Sequence, residues 1–403
     1  MRVGVWLESD YSPAVGGGFS YYDKLVKAID DYAFHSSLDI CFVKEGELAE
    51  GAFRREVIGL DWQYSKTLRD RILLRTPYIR KYYRKELNAK ISTLKFNAYT
   101  EKLRAEGVHV LYYLNQALVR IPNFPFVVNN WDIGHSSTYA FPELVQDGEF
   151  ERRHDFYAHI LPQALFVFAE SEAGKQELLK YTCISSDKIK VVPIFAGNSV
   201  SIQVSPEKQD EILKTYALTA NRYFFYPAQF WAHKNHYNLL RAFAQFQSSH
   251  PEYKLVLTGS NQGNLSYIQE TIKQLGIEEE VVFPGFVPLE YINTFYRNAT
   301  ALVMASYFGP TNMPPIEAME LGCPVICSDI AGHREILGNA AIYFELGDYA
   351  HITSAMKQMV KERELYLKRI KEQRGKSKFT IETALSNIDK YLQELIPIRS
   401  TWA

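Results

Sequence analysis

Four cysteines in 403 residues, Cys41, Cys183, Cys323 and Cys327, are too few and too scattered for a disulfide framework or a structural zinc site. They favour a reducing, cytoplasmic setting. No stretch of about 20 uncharged apolar residues occurs, so no membrane-spanning helix is expected, and the apolar run after Met1 is far too short for a signal peptide. The chain should be soluble, or at most peripheral to the inner face of the cell membrane. No charge sign is in excess: 45 Lys and Arg stand against 46 Asp and Glu, which excludes a global pull towards nucleic acid. A Gly-x-Ser-x-Gly elbow, a P-loop and a Cys-x-x-Cys pair are all missing, which counts against hydrolase, NTPase and thiol-redox chemistry. There is no Asp-x-Asp, the segment Glu8, Ser9, Asp10 being its nearest imitation, and His233-x-x-His236 has no Cys or acidic partner motif. No metal is expected. What the chain does have is apolar bulk: 47% hydrophobic and 14% aromatic residues can bury real cores, over a length that suits two domains.

Short β-branched or aromatic runs alternate with longer helix-like segments, which is the α/β signature. The runs at Arg2–Leu7, Leu38–Val43, Val108–Tyr113, Phe124–Val128, Ala164–Ala169 and Lys190–Ile194 read as strands covered on both faces of a parallel sheet, with helices filling the gaps. The alternation restarts with strands at Tyr223–Tyr226, Lys254–Thr258, Val281–Phe283, Ala301–Met304, Pro324–Ser328 and Ala340–Phe344. Two doubly wound domains are therefore expected, over 1–196 and 197–379, with the polar stretch Asn198–Asn221 as the junction. A closing helix at about 380–403 is free to pack back on the first domain. Ligands of such domains bind at the carboxyl ends of the strands, so two facing domains place a site in the cleft between them.

The most informative run is Phe308 to Ile326, reading Phe-Gly-Pro-Thr-Asn-Met-Pro-Pro-Ile-Glu-Ala-Met-Glu-Leu-Gly-Cys-Pro-Val-Ile. It takes a strand into a turn-rich loop and then a helix with Asn312 as N-cap and prolines in its first turn. The start of that helix, at Asn312–Pro315, suits an anion, because backbone N–H groups and the positive end of the dipole face outward there. Glu317 is placed to accept hydrogen bonds from ribose hydroxyls, or simply favours the dipole.

This run resembles the signature of family 4 retaining glycosyltransferases, which have the two-domain GT-B fold. The resemblance implies that Glu317 binds the nucleotide ribose. The signature's first glutamate falls on Gly309, so Thr311, Asn312 and loop N–H groups would have to act in its place beside Met313. In the segment from Tyr226 to Asn235, Lys234 fits the lysine that the family sets on the donor diphosphate, and Gln229 stands where an arginine is usual. The glycine triplet Gly16, Gly17, Gly18 matches a loop that touches the same diphosphate. The segment from Trp131 to His135, followed by Pro142-Glu143, resembles a His-Asp-x-x-His motif with Trp131 replacing the first histidine; Asp132 and His135 would line the acceptor side, while on the residues alone a turn-capping Asp and a hydrogen-bonded structural His fit as well. Ser171 falls where a further helix begins and reads as its N-cap. Gly259, Phe286 and Val287 fall in loops that meet the nucleotide.

The activity so implied is retaining transfer of a hexose from a nucleoside diphosphate sugar to a glycan or lipid-linked acceptor in polysaccharide biosynthesis. A UDP-hexose is favoured as donor and a GDP-sugar comes next. No permanently bound cofactor and no metal are implied. Two other readings stay open on the sequence, a nucleotide-sugar epimerase of the same architecture and a non-catalytic homologue that only binds nucleotide sugars.

One segment lies outside these motifs. Residues 66–104 hold twelve Lys or Arg against Asp70, Glu86 and Glu101, interleaved with Tyr78, Tyr82, Tyr83, Ile72, Leu73 and Leu74. Such a basic amphipathic region suits peripheral contact with an anionic membrane, where lipid-linked acceptors sit. A solvated helix face is the plain alternative. No RNA-binding motif accompanies it, so no nucleic-acid partner is expected.

Overall fold

The computed structural model describes residues 1–8, 17–46, 51, 53–116, 120–309 and 311–402. Gly16 of the glycine triplet and Pro310 of the long signature lie outside the described residues. The first lobe runs β1 (Arg2–Leu7), α1 (Gly17–Asp31), β2 (Asp39–Glu45), β3 (Val57–Leu60), α2 (Leu68–Arg75), α3 (Arg80–Ala105), β4 (Val110–Tyr113), β5 (Phe126–Asn130), α4 (Gly134–Ser137), α5 (Pro142–Val145), α6 (Glu149–Asp155), β6 (Phe166–Ala169), α7 (Glu172–Tyr181) and β7 (Ile189–Val191). Its strands are parallel, in the order β3-β2-β1-β4-β5-β6-β7.

The second lobe runs α8 (Pro206–Thr215), β8 (Tyr223–Pro227), α9 (His236–Gln247), β9 (Lys254–Thr258), α10 (Leu265–Leu275), β10 (Val281–Gly285), α11 (Leu289–Asn298), β11 (Ala301–Met304), α12 (Met313–Leu321), β12 (Val325–Ser328), α13 (Ala331–Leu337), β13 (Ala341–Phe344) and α14 (Tyr349–Arg374). This sheet is parallel as well, ordered β10-β9-β8-β11-β12-β13. The central strands of both sheets are buried along their whole length, as continuous apolar runs require when helices cover both faces.

The last helix, α15 (Ile381–Arg399), follows α14 and returns to the first lobe. Its stripe of Ala384, Leu385, Ile388, Leu392 and Leu395 joins the core that holds Leu25 of α1 and Phe168 of β6. Burying each Leu or Ile of that stripe contributes about 1.5–3 kcal/mol. Polar contacts fix the register: Asn387 Nδ2 donates to the Val191 carbonyl at 3.0 Å, and Lys190 pairs with Glu394 at 2.7 Å.

One sequence expectation changes here. Strand β3 was not anticipated, because Val57-Ile58-Gly59-Leu60 is a short run interrupted by a glycine, and helix alone was expected between β2 and β4. Within the stretch 198–221 Ser205 caps α8 through its hydroxyl, and α8 lies on α11. In both sheets the strand order reverses beside the first strand, at β1/β4 and at β8/β11. The crevices outside these switch points are where an open α/β sheet binds its ligands.

Candidate active site

The start of α1 and the loops at the carboxyl ends of β5 and β6 face those of β8 and β11 and enclose two joined chambers. The inner chamber, about 420 Å³, takes its walls from both lobes, including Gly18, Asp132 and Glu170 on one side and Lys234, Thr311 and Asn312 on the other. The outer chamber, about 410 Å³, is bordered by Ser20, Ser199, Thr258, Gly259, Phe286 and Glu317. Pro227, Ala228, Gln229, Met313 and Pro314 border both and form the waist between them.

At the waist, two helices from opposite lobes begin. Gly18 in the first turn of α1 and Met313 at the start of α12 both stand on the inner wall. Pro314 and Pro315 carry no N–H, so the first turn of α12 offers an anion only the Asn312 and Met313 N–H groups and the dipole. Asn312 is the N-cap of α12, as expected, but its side chain makes no capping hydrogen bond. It is drawn into a relay instead. Buried His333 is held neutral, its pKa lowered to about 4 by burial, and its Nδ1 donates to the Ser328 carbonyl at 2.8 Å. Its Nε2 then accepts from Asn312 Nδ2 at 3.1 Å, which turns Asn312 Oδ1 towards Lys234 Nζ, 3.0 Å away.

Lys234 is half-buried at the end of a short turn after β8. Burial lowers its pKa to about 8, against the opposing attraction of Asp132 and Glu143. It therefore stays mostly cationic at neutral pH. Arg153 is the other cation on this wall, and it is engaged by Asp132 at 3.0 Å and Glu149 at 2.6 Å. Gln229 accepts from Trp231 Nε1 at 2.9 Å and donates to Ser260 Oγ at 3.1 Å, which orients a neutral amide at the waist.

In the outer chamber Glu317 is buried and accepts from Ser199 Oγ and Tyr296 OH, both at 2.9 Å. Burial raises its pKa, with these two hydrogen bonds opposing. A backbone hydrogen bond from Gly197 takes a third of the carboxylate's four or so lone-pair positions, so about one remains for a ligand's hydroxyl. Gly259 is required by close packing, since a Cβ there would lie 2.4 Å from the Ala228 carbonyl oxygen. Phe286 is 65% exposed at the chamber's edge, and Val287 beside it is buried.

The glycine at 309 has a structural reason. Its φ of +117° is one that side chains rarely adopt, and a Cβ would meet the Thr311 carbonyl at 2.9 Å and Asn312 Nδ2 at 3.0 Å. A glutamate would disrupt the loop that presents Asn312.

Not every expected residue reaches the cleft. Asp132 does, but its Oδ1 already accepts from the Gly134 N–H at 2.9 Å and pairs with Arg153. His135 does not. The turn of α4 packs it between Tyr157 and Phe150, with ring centroids 5.0 and 5.6 Å away, and burial lowers its pKa to about 4. It borders neither chamber, so the expected role against an acceptor has no geometric basis. Gly17 is the first residue of α1, and Gly18 borders the inner chamber. Ser171 is the N-cap of α7, accepting from the Gly174 N–H at 2.9 Å.

Sequence reasoning missed His333, Glu170 and the contacts between lobes. Glu143 accepts from both the backbone N–H and Nδ1 of His233, at 2.9 and 2.5 Å, across the cleft. Glu335 of α13 accepts from the Glu172 and Ala173 N–H groups at the start of α7, at 3.0 and 2.8 Å. Glu170 could have been found, because it directly follows a strand that the sequence reveals. His236 lies against Tyr226 and Phe230 and takes no part with His233. Among the described residues, no three His, Cys, Asp or Glu side chains gather so as to hold a metal.

Residues 208–376 match the family model for glycosyl transferases group 1. The O-antigen chain mannosyltransferase B of Escherichia coli is 25% identical over 203 residues, which cover 50% of this chain and 53% of that protein. The O-antigen chain mannosyltransferase RfbU of Salmonella typhimurium is 29% identical over 193 residues, covering 48% and 50%. The chain thus spans about half the length of these curated relatives. Among solved structures, Anabaena HepE in complex with UDP and glucose aligns with 98% of this chain and 100% of its own, at a TM-score of 0.69 and 18% identity. That likeness is one of fold, and the fold is GT-B.

Proposed function

We propose that this chain, whose residues 208–376 belong to the glycosyl transferases group 1 family, moves a hexosyl group from a nucleoside diphosphate sugar to a hydroxyl of a glycan or lipid-linked acceptor, with retention of anomeric configuration. The observation that carries the reading is the waist of the cleft, where Lys234 and two helix starts converge between a chamber holding Glu317 and a chamber shared by both lobes. A diphosphate fits the waist, a nucleoside the outer chamber with Glu317 on its ribose, and a hexose the inner one. In transfer, the bond from the anomeric carbon to the β-phosphate oxygen breaks and leaves its electron pair on the diphosphate. The acceptor oxygen bonds to that carbon on the same face, and its proton passes to the departing diphosphate oxygen. Lys234 and the helix dipoles stabilise the charge that develops there, the kind of electrostatic contribution that is commonly the largest in catalysis. The proton goes to the leaving group, so no side-chain base is needed, and the chemistry as drawn needs no metal.

UDP-hexose is the first donor to test and a GDP-sugar the second. The UDP and glucose held by HepE support the former, and the mannosyltransferase names of the two bacterial relatives keep the latter in the set. A thermal-shift screen across UDP-, GDP-, ADP- and TDP-sugars should show one clear stabiliser, since ligand at a hundred times its Kd adds about 2.7 kcal/mol of stability. Absence of any shift would overturn the assignment. Product analysis with the stabilising donor alone then separates transfer from epimerisation, because an epimerase releases a changed sugar nucleotide without an acceptor. Binding without turnover across a broad acceptor panel would mark a non-catalytic homologue.

Peripheral membrane contact is part of the proposal. Helices α2 and α3 carry the basic region as an exposed hairpin, with Leu68 75%, Tyr78 97% and Tyr82 78% exposed among its cations. Asp70 ties its turns together through Thr67 and Tyr83. Each cation near an anionic bilayer contributes about 1 kcal/mol. Reversing Arg71, Lys81 and Arg84 to Glu should abolish sedimentation with phosphatidylglycerol vesicles while leaving the weak binding to phosphatidylcholine vesicles unchanged; equal binding by the variant would overturn the contact. No helix among the described residues is long and apolar enough to cross a membrane.

A further inference from the structure

Buried polar groups normally find hydrogen-bond partners, so one without a partner in the wall of a cavity is a group that a ligand there could satisfy. Three such atoms belong to residues on the wall of the inner chamber: Trp131 Nε1, Glu170 Oε2 and Thr311 Oγ1. Glu170 is only 3% exposed and Thr311 8%. We infer that Trp131, Glu170 and Thr311 form a neutral subsite that recognises the hydroxyls of the donor's hexosyl group, with Glu170 as its specificity-determining residue. This rests on the nucleotide-sugar reading and adds to it Glu170, which neither the family motifs nor the diphosphate grip includes.

The chemistry of the three groups selects the ligand class. An indole N–H only donates, a threonine hydroxyl donates and accepts, and a neutral carboxyl supplies one donor with acceptors beside it. Burial, then the negative charges of Asp132, Glu177 and Glu335, keep the Glu170 carboxyl protonated well above the ordinary range. An apolar ligand would leave all three unsatisfied, at about 1–3 kcal/mol each. A second phosphate would meet the carboxylates of Asp132 and Glu143 on the same wall. Several neutral hydroxyls on one small ring satisfy every group, and the Trp131 ring, set edge-on to Tyr21 at 5.7 Å, offers a pyranose an apolar surface.

The carboxyl has a seat shaped for it. It lies against Gly174, where a Cβ would stand 2.7 and 2.8 Å from its two oxygens, and Ser171 Oγ reaches Oε1 only at 3.5 Å. On the facing lobe, Gly309 borders the same chamber and contributes no side chain. Glu170 borders that chamber from the first lobe.

Calorimetry with paired probes tests this: UDP against UDP-glucose, and GDP against GDP-mannose. Glu170→Ala should weaken the sugar nucleotide about tenfold, the equivalent of one hydrogen bond of about 1.4 kcal/mol, and leave the free nucleoside diphosphate within about twofold. Glu170→Gln, which replaces a neutral carboxyl by an amide of the same shape, should recover most of that loss. Trp131→Phe keeps the ring, removes the N–H and gives a second reading if Glu170→Ala misfolds; it too should weaken only the sugar nucleotide. Undiminished sugar-nucleotide binding by both Glu170→Ala and Trp131→Phe, or a loss shared equally with the free diphosphate, would overturn the subsite alone. Failure of the wild-type chain to bind any of the four probes would overturn the nucleotide-sugar reading and the subsite with it.

Discussion

Lys234→Ala is expected to lower turnover by roughly 10²-fold or more, the size of effect that follows loss of one transition-state electrostatic donor. In the proposed reaction the cation stands where the departing diphosphate accumulates charge, and the described wall offers no free substitute, because Arg153 is already paired with Asp132 and Glu149. Its environment adds a second, independent signature. Burial has moved its pKa down to about 8, so the free protein loses this charge as pH rises through that value. A diphosphate binds the protonated form preferentially, and so raises the pKa of Lys234 in the complex. Affinity for the nucleoside diphosphate should then be level below about pH 7 and fall above pH 8, approaching tenfold per unit, with proton uptake on binding. In Lys234→Ala affinity is low throughout and the alkaline fall is gone. Calorimetry of the nucleoside diphosphate from pH 6 to 9.5, in buffers of different ionisation enthalpy, measures both features. An alkaline fall that persists in the variant would place the cation elsewhere.

The position of Lys234 was legible in the sequence, whereas the means of holding it was not. A lysine soon after a strand end is a local pattern, but its partner Asn312 lies 78 residues on, and Asn312 is in turn held by His333, 21 residues further. Only the assembled switch point brings β8, β11 and β12 together. The parallel strands were readable for the converse reason: a strand buried on both faces must be apolar throughout, so its pattern is complete within a few residues. Strand β3 has only four residues and a glycine, and its pattern is correspondingly poor. His135 shows the opposite failure. Its motif spacing suggested the cleft, yet the helical turn that follows Asp132 carries the ring inward against Tyr157. Spacing places a residue on an element, and packing decides which way it faces.

The second large effect is expected at Glu317. Its remaining acceptor position, beside those taken by Ser199, Tyr296 and the Gly197 backbone, suits a hydroxyl of a ribose, and a hydrogen bond to a charged group contributes about 1.5–3 kcal/mol. Glu317→Ala should therefore weaken nucleoside diphosphate binding by roughly 10- to 10²-fold, since 1.4 kcal/mol is tenfold. Structural damage is a rival cause that must be separated, because the same carboxylate links Ser199 in the segment between the lobes to Tyr296 of α11. The separation comes from the ligand side. Wild type should bind UDP at least tenfold more tightly than 2′,3′-dideoxy-UDP, or GDP than its dideoxy form, because removing the ribose hydroxyls leaves the carboxylate without those donors. In Glu317→Ala that discrimination should vanish, while the already weak dideoxy ligand loses little more. If Glu317 only braces the lobes, the variant will weaken both ligands equally and keep the discrimination. That result would remove the ribose from the outer chamber's wall at Glu317 while leaving the diphosphate grip of Lys234 standing, since the two groups act on different parts of the donor.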